Sequence, residues 1–224
     1  SCNSAAALNK TTFGGIWLGN YVTEQEAFWA SSFGDAYTEK YNTADLLSSR
    51  LGLWTEIVRK GGPIDSCLEL GAGAGLNFRV LGMLFPKLQM TGVEINRKAA
   101  EECAKIPRVT VVRSSIHTYH SEARFDLTFT AGTLILLAPE RLPEVYDTLY
   151  YHSKKYIALA EYYNPTPLEV VYHGKSGRLC KRDFAGEIMD RFPDVHLVDY
   201  GFVYHRDAHF PADDVNWFLL EKRA

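Results

Sequence analysis

The stretch Glu69-Leu70-Gly71-Ala72-Gly73-Ala74-Gly75-Leu76-Asn77 decides how the rest of this 224-residue sequence is read. It follows an apolar, β-prone run at 64–70 and opens a helical pattern that continues to about residue 85, where Pro86 stops it. A glycine-rich bend from strand to helix lies at the carboxyl edge of an open α/β sheet, where such sheets bind ligands. Glycine permits positive φ and close approach of the backbone to that ligand. The dinucleotide fingerprint G-x-G-x-x-G fails because position 76 is Leu, and no Gly-Lys-Ser or Gly-Lys-Thr follows to make a P-loop. Glu69, two residues ahead of the first glycine, would repel a pyrophosphate and suits an ammonium group.

Working outward, strands and helices alternate. Helical spacing over 43–60 places Leu46, Leu47, Arg50, Leu53, Trp54 and Ile57 on one face, and Gly61-Gly62-Pro63 ends it. Beyond the bend, strands are expected at 88–95, 109–112, 125–130 and 156–160, with helices at 97–105 and 139–153. Asp183 is a plausible N-cap for a helix to residue 192. Two closing strands, 195–205 and 215–221, have no helical pattern between them. The segment 162–182 shows no clear period and reads as a long, functional loop. The expected architecture is α/β: a doubly wound, mostly parallel seven-stranded sheet with a C-terminal antiparallel hairpin, Rossmann-like, as in class I methyltransferases. Residues 1–60, rich in aromatics, form a helical cap on a core of 61–224. Within the cap, Trp29, Phe33 and Tyr37 are placed to cover a ligand.

Glu94 ends the second strand of the core, in Thr91-Gly92-Val93-Glu94-Ile95-Asn96, about 20 residues past the glycines. A carboxylate there can accept hydrogen bonds from ribose hydroxyls. Glu69 for an ammonium group and Glu94 for a ribose, on either side of a glycine bend, point to S-adenosylmethionine. The cofactor contacts expected are Tyr37, Glu69, Gly71, Ala72, Gly73, Asn77, Glu94 and Ile95. Ser115 and Ile116, after the third strand, would flank the adenine. Thr130, at the end of the fourth, would face the methyl-transfer centre.

The formal charge is −3, from 24 basic and 27 acidic residues, and no basic stripe marks a nucleic-acid surface. The apolar runs are far shorter than a bilayer span, and no basic-then-apolar signal peptide is visible at the N-terminus. The four cysteines are scattered, without C-x-x-C, so neither a disulfide framework nor a zinc site is expected and a reducing, cytoplasmic setting is. His205 and His209 stand four apart, but in a strand context that argues against a metal pair. No metal, no nucleic acid and no membrane partner is expected; the partner is a small-molecule substrate, with the oligomeric state open.

The chain resembles the pseudaminic acid biosynthesis-associated methylases, a branch of class I methyltransferases. The specific segments are Tyr162-Tyr163-Asn164-Pro165, Lys181-Arg182-Asp183-Phe184 and Tyr204-His205-Arg206-Asp207, alongside Phe33-Gly34-Asp35-Ala36-Tyr37 and the glycine motif. The resemblance covers most of the chain from about Phe28 onward. It implies methyl transfer from S-adenosylmethionine and marks Tyr204 and Arg206 as candidate substrate contacts. The chain departs from relatives at Ala131 and Leu136, where they tend to carry Lys and His; this changes the acceptor lining rather than the cofactor contacts.

An oxygen or nitrogen acceptor must lose a proton, so a general base is useful. Glu161, His173 and His205 are the candidates, Glu161 alternatively being a structural anchor. Tyr162, Tyr163 and Asn164 are candidate pocket residues. Lys181 and Arg182, ahead of a helix N-terminus, would favour an anionic substrate group. The sequence thus reads as a methyltransferase of a small, polar, anionic metabolite of sugar or nucleotide-sugar type. A protein or peptide methyltransferase and a non-catalytic S-adenosylmethionine-binding partner protein are the alternatives.

Overall fold

The computed structural model describes residues 12–13, 16–17, 21–40, 44–172 and 175–223. Two short strands, β1 (Thr12–Phe13) and β2 (Ile16–Trp17), pair with each other ahead of helices α1 (Glu24–Trp29), α2 (Ser32–Lys40) and α3 (Ala44–Val58). The core then runs β3 (Ser66–Leu70), α4 (Leu76–Leu84), β4 (Gln89–Val93), α5 (Arg97–Cys103), β5 (Val109–Val112) and β6 (Phe125–Ala131). After 3-10 turns at Leu134–Leu136 and Pro139–Arg141 come α6 (Leu142–His152) and β7 (Ser153–Glu161). A hairpin of β8 (Leu168–Tyr172) and β9 (Lys175–Lys181) leads to α7 (Phe184–Arg191), and β10 (Val195–Val203) and β11 (Val215–Lys222) close the chain. Among the described residues no helix is long and apolar enough to cross a membrane.

Seven strands form one sheet in the order β10-β11-β7-β6-β3-β4-β5. Strands β3 to β7 are mutually parallel along it, and β11 lies antiparallel to both β7 and β10. This is the doubly wound sheet with an antiparallel insertion that the alternation of elements predicted. Strand order reverses at β3, which has β4 on one side and β6 on the other. The crevice beyond the carboxyl ends of these strands is the place where such sheets hold ligands. Asp126 sets the register at the opposite end: its Oδ2 accepts from the N–H groups of Asp65 and Ser66, at 2.9 and 3.0 Å.

Each face of the sheet is buried separately. Leu53, Trp54 and Ile57 of α3 share one core with Cys67, Phe78 and Phe129. Leu142, Val145 and Leu149 of α6 cover the other face, with Leu68, Ile157 and Leu159. Alternation along each strand sends neighbours to opposite cores, as Leu68 and Cys67 show. Helix α3, in the segment assigned to the cap, is therefore also a wall of the main core.

The long loop expected at 162–182 is in large part ordered as the β8–β9 hairpin, with Leu168 opposite Lys181 and Val170 opposite Leu179. The hairpin forms because Leu179 is buried and Val170 packs with it against the α6 side of the sheet, giving the ribbon an apolar face. The β-branched run in Leu168-Glu169-Val170-Val171-Tyr172 carried that signal. His173 lies outside the described residues.

Candidate functional site

Three glycines shape the bend after β3: Gly71, Gly73 and Gly75 have φ of 78°, 53° and 78°. At Gly71 a side chain is doubly excluded, since a Cβ would stand 2.5 Å from the Thr133 hydroxyl. The bend is anchored to the neighbouring strand end, where the N–H groups of Gly71 and Ala72 donate to the Val93 carbonyl at 2.9 and 3.1 Å. Glu94 completes the tie. Its Oε2 accepts from Gly73 N at 2.7 Å and its Oε1 from Asn96 N at 2.7 Å.

A cavity of about 240 Å³ opens above this bend. Gly71, Ala72, Gly73 and Asn77 line it with Glu69, Glu94, Ile95, Ile116 and Tyr37. Most of the expected cofactor contacts are therefore brought together. Glu69 is 1% exposed; one oxygen accepts from Asn77 Nδ2 at 2.5 Å, and Asn77 in turn accepts from the Trp54 indole N–H at 2.9 Å. The other oxygen, Oε2, is buried without a partner. Burial pushes the Glu69 carboxyl well above its ordinary range; the Asn77 hydrogen bond and the Arg50 charge pull it down, and Glu94 pushes it up. Burial likewise raises Glu94, against the backbone N–H groups of Asn96, Gly73 and Ile95. An orphaned carboxylate oxygen at a cavity wall, on a carboxyl that ionises reluctantly, suits a ligand that brings a cation. The ammonium of S-adenosylmethionine is such a group, so the residues present fit that cofactor.

The N-terminal helices roof this cavity through Gln25, Glu26, Trp29, Gly34, Tyr37 and Thr38. Asn96 joins roof to floor: its Nδ2 donates to the Trp29 carbonyl at 3.1 Å and to Asp35 Oδ1 at 3.0 Å, and its Oδ1 caps α5 through Ala99 N. Gly34 makes that approach possible, because a Cβ there would sit 2.0 Å from the Trp29 carbonyl oxygen. Glu26, unremarked in the sequence, is buried and accepts from Val22 N at 2.7 Å and from the Ser115 hydroxyl. Ser115 also accepts from His117 N at 3.0 Å; it does not line the cavity, and its neighbour Ile116 does.

Two residues at the strand ends lie away from this cavity. Thr130 does not face the cavity. It is fully buried on the opposite side of the sheet, because alternation turns Phe129 and Ala131 toward α3 and Thr130 away. The cavity wall is instead Ala131, Gly132 and Thr133. Glu161 does not line this cavity, and its position is that of the structural anchor that was the alternative to a base. It is 3% exposed and receives the N–H groups of Thr133 (3.0 Å), Leu134 (3.2 Å) and Ile135 (3.5 Å), anchoring the turn after β6. Burial lifts its carboxyl to about 7 against Thr133 N–H, the Thr130 hydroxyl and the other two N–H groups.

A second cavity of about 210 Å³ adjoins the first and shares Tyr37, Leu46, Arg50, Ala131, Leu136 and Asp213 with it. Tyr162 and His205 line it. His205 Nδ1 lies 2.8 and 2.9 Å from the two Asp214 oxygens, and Asp214 holds a φ of 53°. The other proposed substrate contacts are elsewhere. Arg182, just ahead of α7, donates to Glu187 Oε1 on that helix at 2.7 Å, while Glu187 Oε2 receives the Tyr146 hydroxyl. Lys181 stands over the Tyr162 ring at 5.1 Å. Asn164 donates to the Thr166 carbonyl within its turn, Tyr163 packs on Phe218, and Tyr204 and Arg206 are exposed. None of these six lines either cavity.

Three solved structures illustrate what this architecture is similar to. Magnesium protoporphyrin IX methyltransferase from Synechocystis PCC 6803, with bound SAM, is 11% identical, with a TM-score of 0.64 over 91% of this chain and 100% of that one. The 1,6-didemethyltoxoflavin-N1-methyltransferase of Burkholderia thailandensis, with its substrate and S-adenosylhomocysteine, is 17% identical, with a TM-score of 0.64 over 89% and 87%. The plantazolicin methyltransferase BpumL, in complex with SAH, is 12% identical, with a TM-score of 0.61 over 89% and 94%. This chain has the class I methyltransferase fold. No protein-family model matches the sequence, and no curated protein matches it.

Proposed function

We propose that this chain is an S-adenosylmethionine-dependent methyltransferase. The single observation that carries the reading is the buried, partnerless Oε2 of Glu69 at the wall of a glycine-bend cavity. Glu69 would hold the cofactor's ammonium group, Glu94 its ribose, and Ile95 and Ile116 its adenine, while the N-terminal helices exclude water. When bound, the cofactor supplies an electrophilic methyl group on sulfur; the protein's part is alignment and a dry site. Its solved neighbours are crystallised with SAM or SAH in the same fold, which supports the reading.

The acceptor presents an oxygen or nitrogen on a small polar, anionic metabolite. Resemblance to the pseudaminic acid biosynthesis-associated methylases favours a sugar or nucleotide-sugar type. Calorimetry with S-adenosylhomocysteine tests cofactor binding, and labelled S-adenosylmethionine with a panel of nucleotide sugars, amino acids, phosphonates and peptides tests transfer. Absence of heat with S-adenosylhomocysteine, together with uptake of a nicotinamide dinucleotide, overturns the proposal.

A further inference from the structure

The second cavity has a predominantly apolar wall, with Leu46, Leu53, Ile135, Leu136, Leu179 and Val215 contributing. Against that wall one cation stands out. Arg50, on α3, lines both cavities where they meet. It is partly buried, and it makes no hydrogen bond or ion pair among the described residues. Glu69 feels its charge, but Glu69 takes its hydrogen bond from Asn77 instead. A guanidinium offers five N–H donors in a planar fork matched to a carboxylate or phosphate. Holding it half out of water without a partner is unfavourable, and an anion arriving in the cavity would relieve that cost.

Arg50 stands on a packed stretch of α3. Its neighbours on α3, Ser49 and Leu53, are buried. The chain between β10 and β11 lies along the same helix, where Phe210 approaches Gly52 so closely that a Cβ there would meet its ring at 2.7 Å. Asp207 shapes that connection by accepting from His209 N and Phe210 N, both at 2.8 Å. The cation is thus presented from a helix rather than from a loose loop.

We infer that the second cavity is the acceptor site and that it takes an anionic acceptor, its anionic group bound by Arg50 and its least polar face laid on the apolar wall. This rests on the methyltransferase reading, and it replaces Lys181 and Arg182 as the anion-binding pair. The carboxylate of the cofactor is the rival occupant of Arg50, and the experiment separates the two.

Calorimetry on wild type, Arg50→Gln and Arg50→Lys uses S-adenosylhomocysteine first, then benzoate, phenylphosphonate and the neutral control benzyl alcohol. On the protein saturated with S-adenosylhomocysteine, at least one anion should bind about tenfold or more tighter than benzyl alcohol. Arg50→Gln should remove that preference while leaving benzyl alcohol and S-adenosylhomocysteine affinities within about threefold, and Arg50→Lys should keep part of it. If neither anion outbinds benzyl alcohol in wild type, or the preference survives in Arg50→Gln, the inference is wrong. It is equally wrong if Arg50→Gln loses S-adenosylhomocysteine and keeps the anions, since the guanidinium then serves the cofactor. If wild type fails to take S-adenosylhomocysteine, the methyltransferase reading falls, and the anion titrations on the unliganded protein still decide the role of Arg50.

Discussion

Asn77 Nδ2 donates to Glu69 Oε1 at 2.5 Å and leaves Glu69 Oε2 buried and unmatched. One face of the carboxylate is thereby fixed, by a residue at the start of α4 that the Trp54 indole holds in turn. The other face is left for a ligand.

Glu69→Gln should weaken S-adenosylhomocysteine binding by about 10- to 100-fold, the worth of one charge-assisted hydrogen bond. The wild-type carboxyl is raised by burial and so retains its proton above the ordinary range. An ammonium ligand favours the carboxylate, so binding should release a proton and affinity should rise with pH. Calorimetry in buffers of different ionisation enthalpy reads that release. Its persistence in Glu69→Gln would assign it to another group.

Gly71→Ala should cost about 1–3 kcal/mol of stability, because φ is 78° and the new methyl would press on Thr133. Gly73→Ala meets nothing within 4 Å and should cost only the backbone term. Urea denaturation of the two variants gives the comparison; equal costs would show that Thr133 yields freely.

Glu161→Ala should destabilise by about 2–4 kcal/mol, since it strips buried N–H groups of Thr133, Leu134 and Ile135 of their acceptor. The pH dependence has the opposite sign to that of an ion-paired carboxylate. With a folded value near 7 against an ordinary 4.5, the folded chain holds the proton more tightly than the unfolded one. The stabilisation is full below 4.5, is lost as pH rises toward 7, and levels off above it, over a range of at most about 3 kcal/mol. Denaturation curves from pH 4 to 8 should flatten in Glu161→Gln relative to wild type, other carboxyls being common to both.

Asn96→Ala should loosen the roof without disturbing the sheet. The hydrogen bonds to Trp29 and Asp35 and the α5 cap disappear together, the cap alone being worth about 1 kcal/mol. Hydrogen exchange should speed up across α1 and α2, and S-adenosylhomocysteine affinity should fall. Faster exchange with unchanged affinity would mean that these helices do not serve as a lid.

His205→Gln should slow transfer to the acceptor identified by the panel by about 10²–10⁴-fold. In the tautomer that donates Nδ1–H to Asp214, Nε2 is the acceptor of a proton. Asp213, Arg50 and Tyr162 face the same cavity, and Tyr204 packs on the ring. Unchanged turnover in His205→Gln would show that this imidazole does not take the acceptor's proton.

The order of the seven sheet strands and of helices α3 to α7 was legible in the sequence, because periodicity of 2.0 or 3.6 and breakers such as Gly61-Gly62-Pro63 and Pro86 are local signals; the β8–β9 hairpin was not. So were Glu69, Glu94, Asn77 and the glycines, which sit within or one strand away from a single bend. Tertiary structure alone decided the rest. Thr130 turned away from the cavity through strand alternation, and Arg182 was taken up by Glu187 of the helix that follows it. Arg50 and Asp213, 163 positions apart, both line the junction of the two cavities because β11 inserts antiparallel between β7 and β10 and carries the preceding loop back over α3. Which distant side chains share a cavity depends on packing and register, and neither is written in any one segment.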